Sequence, residues 1–183
     1  MEEERQVRVG IVKAKQMSVV FNSMYWLEGK PYVGEHTFVS QSEKRVFVPA
    51  DDTACFTLKD VVIGIGFHWE RKEEQTFAGG LELVEDDGLV RAVNIVPVET
   101  YLTSVISSEM SANASLELLK AHAVISRSWL LAMMEKACAK TKTVASHEQL
   151  GEKFCIRWYD SEAHTGFDVC ADDHCQRYQG MAW

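Results

Sequence analysis

Three observations predict an α+β protein, an antiparallel β-rich platform with a helix pair flanking a groove. As far as Val96, short β-branched and apolar runs alternate with turn-forming residues. From Pro97 to Ala139 the apolar residues recur at helical spacing instead. The polar stretch Ser111-Ala112-Asn113-Ala114 divides that helical region in two.

In order, Gln6 to Val12 (QVRVGIV) reads as a strand, and Met17 to Phe21, Tyr32 to Val33 and Arg45 to Val48 as further short ones. Asn22-Ser23, Gly29-Lys30-Pro31 and Ala50-Asp51-Asp52 punctuate them. Phe56 to Phe67 is another apolar run, in which Gly64 and Gly66 mark a bulge or a close backbone approach. No third glycine follows at the right offset and no helix comes next, so Gly64-Ile65-Gly66 does not read as a phosphate loop. Phe77 to Val84 and Leu89 to Val96 are two strands joined by the turn Glu85-Asp86-Asp87-Gly88, with Gly88 suited to a positive φ.

Pro97 opens the first helix, where its fixed φ and missing N–H are harmless, and Glu99 suits the positive end of the helix dipole. Leu102, Val105, Ile106 and Met110 form its apolar stripe. Ser115 is the expected N-cap of the second helix, about Leu116 to Ala139. That helix would be about 36 Å long at about 1.5 Å per residue. Its stripe takes in Leu116, Leu119, Ala123, Leu130 and Met134, and Lys136 and Lys140 suit its negative end. Beyond Thr141 the chain is loop-like except for a short strand over Phe154 to Tyr159. The segment Asp160 to Gly180 has no period and is crowded with His, Cys and Asp.

The 183 residues suffice for one domain, or one with a small appendage. No apolar run approaches ~18 residues, so no membrane span is expected. The opening Met1 to Arg5 (MEEER) is acidic and lacks an apolar core, so it is not a signal peptide; the protein is cytoplasmic or its leader is missing from this chain. A net charge of −8 argues against a nucleic-acid partner, which needs a basic stripe. A neutral or zwitterionic polymer or a small molecule is more compatible. Five cysteines are an odd number and too sparse for a disulfide scaffold; Cys55 and Cys138 read as core thiols.

Two side chains in the helical region could carry chemistry. Glu109 ends an apolar helix face, where the dipole's negative end and apolar neighbours favour the protonated carboxyl that a general acid needs. Arg127 falls within the apolar stripe of the second helix, on its expected buried side, and would need an anionic partner, Glu109 or Glu99. A structural salt bridge explains it as well. His122 reads as a surface or packing residue. In the tail, His164, Cys170, His174 and Cys175 form a ligand set suited to Zn²⁺. His164, Cys170 and Cys175 are favoured, with His174 the weakest because it adjoins Cys175. A Cys170–Cys175 disulfide is the competing reading.

The blocks VNIVPVETYL (93–102), VISSEM (105–110), LKAHAV (119–124), SRSW (126–129) and DVCADDHCQRYQG (168–180) together resemble the stage II sporulation protein D family, which includes the LytB-like amidase enhancers. The similarity covers about Phe77 to Gly180. It implies a peptidoglycan lytic transglycosylase acting extracytoplasmically at the cell envelope. Glu109 would be the single acid/base that cleaves the N-acetylmuramic acid–N-acetylglucosamine bond to a 1,6-anhydro product. Arg127 would be a substrate-binding groove residue, and zinc would sit in the tail. The alternative within the same resemblance is a non-enzymatic cell-wall module that stimulates a partner amidase. A third reading is a zinc-stabilised structural domain with a buried Glu109–Arg127 pair. The expected division is a β-rich region over 1–76, without an assigned function, and a catalytic domain over 77–183. By the same resemblance that domain is expected to be truncated at its C-terminal side, since relatives continue past the last motif.

Overall fold

The computed structural model describes residues 4–64, 66–110, 113–140, 148–151, 154–157, 164–172 and 174–181. Its strands are β1 (Gln6–Ala14), β2 (Gln16–Leu27), β3 (Lys30–Val39), β4 (Arg45–Pro49), β5 (Cys55–Ile63), β6 (Arg71–Ala78), β7 (Gly80–Asp86) and β8 (Leu89–Pro97). Helices α1 (Val98–Glu109) and α2 (Leu116–Lys140) follow, then a small hairpin of β9 (Glu148–Gly151) and β10 (Phe154–Arg157), and finally β11 (Val169–Cys170).

Nine strands form one curled, mostly antiparallel sheet in the order β11-β1-β8-β7-β4-β2-β5-β6, with β3 added beside β2. The expected α+β architecture is therefore what the chain adopts. The sheet runs across position 76, because β1 pairs with β8 and β4 with β7. Alternating inward residues fill the concave side. Phe21, Phe47, Phe56 and Phe77 are all but fully buried, and the rings of Phe21 and Phe47 lie 5.0 Å apart. Each such side chain contributes roughly 1.5–3 kcal/mol by leaving water.

Several strand boundaries differ from the expectation, each for an identifiable reason. Asn22-Ser23 does not interrupt β2. The pairing with β3 shifts between Phe21 and Tyr25 to absorb the polar residues, and Asn22 Nδ2 donates to Thr57 Oγ1 of β5 at 2.8 Å. β3 runs ten residues rather than two; its alternate residues face solvent, so it shows little apolar signal. β6 was not foreseen before Phe77, because its first half, RKEE, is charged and lies at the sheet edge, where such residues are tolerated. The expected strand over Phe77 to Val84 breaks at Gly79: Phe77 belongs to β6 and pairs with β5, whereas β7 pairs with β8 and β4. The turn before β8 is as expected, with Asp87 and Gly88 at φ 54° and 77°.

α1 starts after Pro97 and packs Val98, Tyr101, Leu102 and Val105 onto the sheet. It stops because Met110 turns to extended backbone. Ser115 Oγ accepts from the Leu118 N–H at 3.3 Å, the cap the sequence indicated. Of the expected α2 stripe, Leu130 and Met134 are buried, but Leu116 is exposed, as are Leu118, Val124 and Ile125. Apolar residues surround the first half of α2, so their spacing does not identify its buried side.

Candidate active site and metal cluster

Glu109 is the last residue of α1, and the α1–α2 hairpin brings it opposite the second turn of α2. There its Oε2 lies 2.9 Å from His122 Nε2, with the His122 side chain 10% exposed and that of Glu109 28%. Its Oε1 accepts the Arg177 backbone N–H at 3.1 Å. Both carboxylate oxygens are thus oriented, one by α2 and one by the tail. His122 Nδ1 is buried and has no hydrogen-bond partner among the described residues. His122, set aside on sequence, is the side chain that hydrogen-bonds Glu109, and the two residues are 13 apart. A helical hairpin with a short connection places such a pair face to face, which is the signal that could have found it.

Arg127 is not buried. Its Nε donates to Glu99 Oε1 at 2.9 Å, and the two side chains are 52% and 59% exposed. Glu99, the second of the expected partners, takes it because both sit near the start of α1. Glu109 lies at the other end of that helix, about 15 Å away at about 1.5 Å rise per residue. The pairing of Glu109 with Arg127 that the sequence allowed is absent.

The tail crosses the platform as a strap stitched at many points. Asp168 N–H donates to Arg8 C=O at 2.9 Å and Ala171 N–H to Gly10 C=O at 2.9 Å, carrying β11 along β1. Three consecutive residues then contact three different elements. Gln176 Nε2 donates to Ser126 C=O of α2 at 3.3 Å, Arg177 N–H reaches Glu109, and Tyr178 Oη donates to Asn94 Oδ1 of β8 at 2.6 Å. The Tyr178 ring stacks on Tyr101 of α1 with centroids 4.9 Å apart. Burial raises the pKa of both phenols, as apolar surroundings disfavour the phenolate.

This strap also gathers His164, Cys170, His174 and Cys175, whose ligand atoms all lie within 4.8 Å of one another. His164 Nε2 is 3.1 Å from Cys175 Sγ, and His174 Nδ1 is 3.6 Å from Cys175 Sγ and 3.8 Å from Cys170 Sγ. Adjacency does not keep His174 from the group. Cys170 and Cys175 are free thiols, not a disulfide. The Cys175 thiol, the Asp172 backbone and His174 hydrogen-bond to Cys170, and His164 lies close by; together they hold its pKa near 5. Cys175 is pushed up in turn by its partner and by burial. Two sulfurs and two imidazole nitrogens about a zinc ion, with bonds of ~2.0–2.3 Å, would stand roughly 3.3–3.8 Å apart. The three separations of 3.1, 3.6 and 3.8 Å lie close to that range and the whole set falls within 4.8 Å, so the cluster could hold a metal.

The model of the stage II sporulation protein family, SpoIID, matches residues 86–183, more than half of the chain. The chain belongs to the SpoIID family. That segment contains β8, both helices and the strap, and with them Glu109, His122 and the whole His/Cys cluster. Neither the curated proteins nor the solved structures gave a match. SpoIID membership implies a role in peptidoglycan or sporulation remodelling, with cell-wall binding and a place at the cell envelope. No described helix is long and apolar enough to cross a membrane.

Proposed function

We propose that this SpoIID protein is a lytic transglycosylase that cleaves peptidoglycan strands outside the cytoplasm, with Glu109 as its single acid/base. The observation that carries the reading is the carboxylate held by His122 and the Arg177 N–H, with no second carboxylate bonded to it or to those partners among the described residues. Ordinary glycosidases use two carboxyl groups, one of them to handle water or form a covalent intermediate. A reaction that uses the sugar's own hydroxyl needs one. Protonated Glu109 gives its proton to the glycosidic oxygen, and the C1–O bond breaks. The resulting carboxylate then takes the proton from the muramyl C6 hydroxyl as O6 bonds to C1. A 1,6-anhydro end forms and Glu109 regains its proton, so the cycle balances without water.

His122 positions the carboxylate, and Arg127 serves as a rim contact for the glycan, able to exchange Glu99 for substrate. Residues 77–183 act as the catalytic unit, on strands that 1–76 contributes to the same sheet. His164, Cys170, His174 and Cys175 would hold Zn²⁺. When bound, the ion supplies a cross-link that fixes the strap, and with it the Arg177 N–H, against Glu109.

The test is mass spectrometry of purified glycan strands after incubation with the parent protein and with Glu109→Gln. Anhydro-muramyl ends from the parent alone are expected. Reducing ends would mean that water is the nucleophile. A second reading, stimulation of a partner amidase, draws support from the exposed apolar residues Leu116, Leu118, Val124 and Ile125 on α2. Under that reading Glu109→Gln would retain full stimulation of the amidase.

A further inference from the structure

A cleft of about 810 Å³ opens beside the His/Cys cluster, and Glu109 is not among its lining residues. Its walls come from β1, the end of β5, Gly64, Trp69 and Glu70 before β6, Gln75 of β6, the β7–β8 hairpin and the strap. Two lining side chains lack the partners their chemistry calls for. Gln75, on β6, is 6% exposed, yet its Nε2 has no hydrogen-bond partner. A buried amide donor left unpaired costs about 1–3 kcal/mol unless something else accepts from it.

Arg177 is the other. Its guanidinium lies 5.6 Å from the centre of the Trp69 ring, and the Gln179 side-chain oxygen accepts from its Nε and Nη2 at 3.2 Å each. Both partners are uncharged, and no ion pair involves Arg177 among the described residues. Of the carboxylates that line the cleft with it, Glu70 accepts from the Gly66 N–H at 2.8 Å, Asp86 pairs with Arg91 and Asp87 with Lys13 at 3.9 Å, and Asp172 lies on the strap; none of them forms an ion pair with Arg177 among the described residues. Trp69 has two neighbours that restrict it. It stacks on Phe67 at 5.5 Å, and it lies so close to Gly64 that a side chain there would strike the ring. Trp69 therefore acts as a fixed wall that aims the guanidinium. Through its backbone Arg177 touches Glu109, so a ligand in this cleft sits one residue from the carboxylate.

We infer that the cleft is a carboxylate subsite for an N-acylated saccharide, with Arg177 pairing the carboxylate and Gln75 Nε2 donating to an amide carbonyl. This deepens the glycan-strand reading and rests on it. The carboxylate has two sources, the lactyl group of a peptide-free muramyl sugar or the peptide of a substituted one. Trp69 and Gln75 lie outside the matched segment 86–183, so this wall belongs to the remainder of the chain.

The experiment is calorimetric titration of the full chain carrying Glu109→Gln, which removes the proposed acid/base. The probes are N-acetylmuramic acid, muramyl dipeptide and tri-N-acetylchitotriose, the last without a carboxylate. Arg177→Met keeps the backbone N–H and should weaken a carboxylate probe by about tenfold or more, the worth of a charge-assisted hydrogen bond, while leaving chitotriose within about twofold. Gln75→Leu should weaken all three N-acylated probes by about three- to tenfold while thermal stability holds or rises, because it deletes an unpaired donor. Which carboxylate probe responds to Arg177→Met identifies the source. Equal weakening of chitotriose by Arg177→Met, or no effect of either variant, would overturn the inference. If the parent protein makes no anhydro ends while this binding pattern holds, the lytic reading fails and the subsite stands.

Discussion

The platform and the strap are held together by different physics. In the platform, β1 to β8 enclose an apolar core in which Phe47, Phe56 and Phe77 are fully buried. In the strap, residues 164–181, few large apolar side chains are buried; Val169 and Tyr178 are the main ones. It is fixed instead by hydrogen bonds to backbone carbonyls of β1, α2 and β6, from Asp168, Ala171, Gln176 and Met181. Core burial is spread over many contacts and resists local change, whereas a stitched segment can come loose one bond at a time. The difference teaches that the scaffold and the geometry around Glu109 can be perturbed separately.

Phe56→Ala should strike the platform hardest, at about 3–5 kcal/mol, read as a lower urea midpoint with helix and strap lost together. If the strap signal survived that transition, the two regions would not be one cooperative unit. Tyr178→Phe comes next. It leaves the buried Asn94 Oδ1 without its donor and should cost about 1–3 kcal/mol, and on the proposed function glycan cleavage should fall beyond what stability explains. The same phenol sets an alkaline limit. Burial raises its folded pKa, so above about pH 10 the unfolded chain releases the proton first. Stability should therefore fall as pH rises from about 10 through the folded pKa, and a urea series across that range should show a shallower decline for Tyr178→Phe.

Chelation of zinc-loaded protein should act on the strap alone. Amide exchange at Ala171, Cys175 and Tyr178 should quicken while platform amides, such as those of β2 and β5, stay protected. Uniform exchange across both would mean that the ion holds the whole fold. The smallest effect belongs to Arg127→Ala, at about 0–1 kcal/mol of stability, because its pair with Glu99 is exposed. A loss of several kcal/mol there would contradict the exposed geometry.

What was legible in the sequence divides along the same line. The hairpin at Asp87-Gly88, the start of α1 at Pro97 and the cap at Ser115 are written in local chemistry, and each is found as read. The charged half of β6 and the interior of β2 are strands only because a neighbour pairs with them, which no local signal records. Arg127 misled because apolar residues surround the first half of α2, so position in a stripe did not report burial. Glu109 could be named from its place at a helix end. Its contacts with His122 and Arg177 arise from packing between elements 13 and 68 residues apart. The cleft wall at Trp69 and Gln75 is a tertiary product in the same way.

The pairing of β1 with β11 has a kinetic consequence. The Arg8–Asp168 hydrogen bond joins residues 160 apart, whereas β7 and β8 are joined by a tight turn. Closing the longer loop costs more chain entropy, so the hairpins form early and the strap docks late. During refolding, sheet and helix signals should therefore mature before the Arg177 N–H reaches Glu109. A protein with a formed platform and an undocked strap would be folded by most spectroscopic measures yet, on the proposed function, unable to cleave glycan, and the step that completes the site around Glu109 would be the last one of folding.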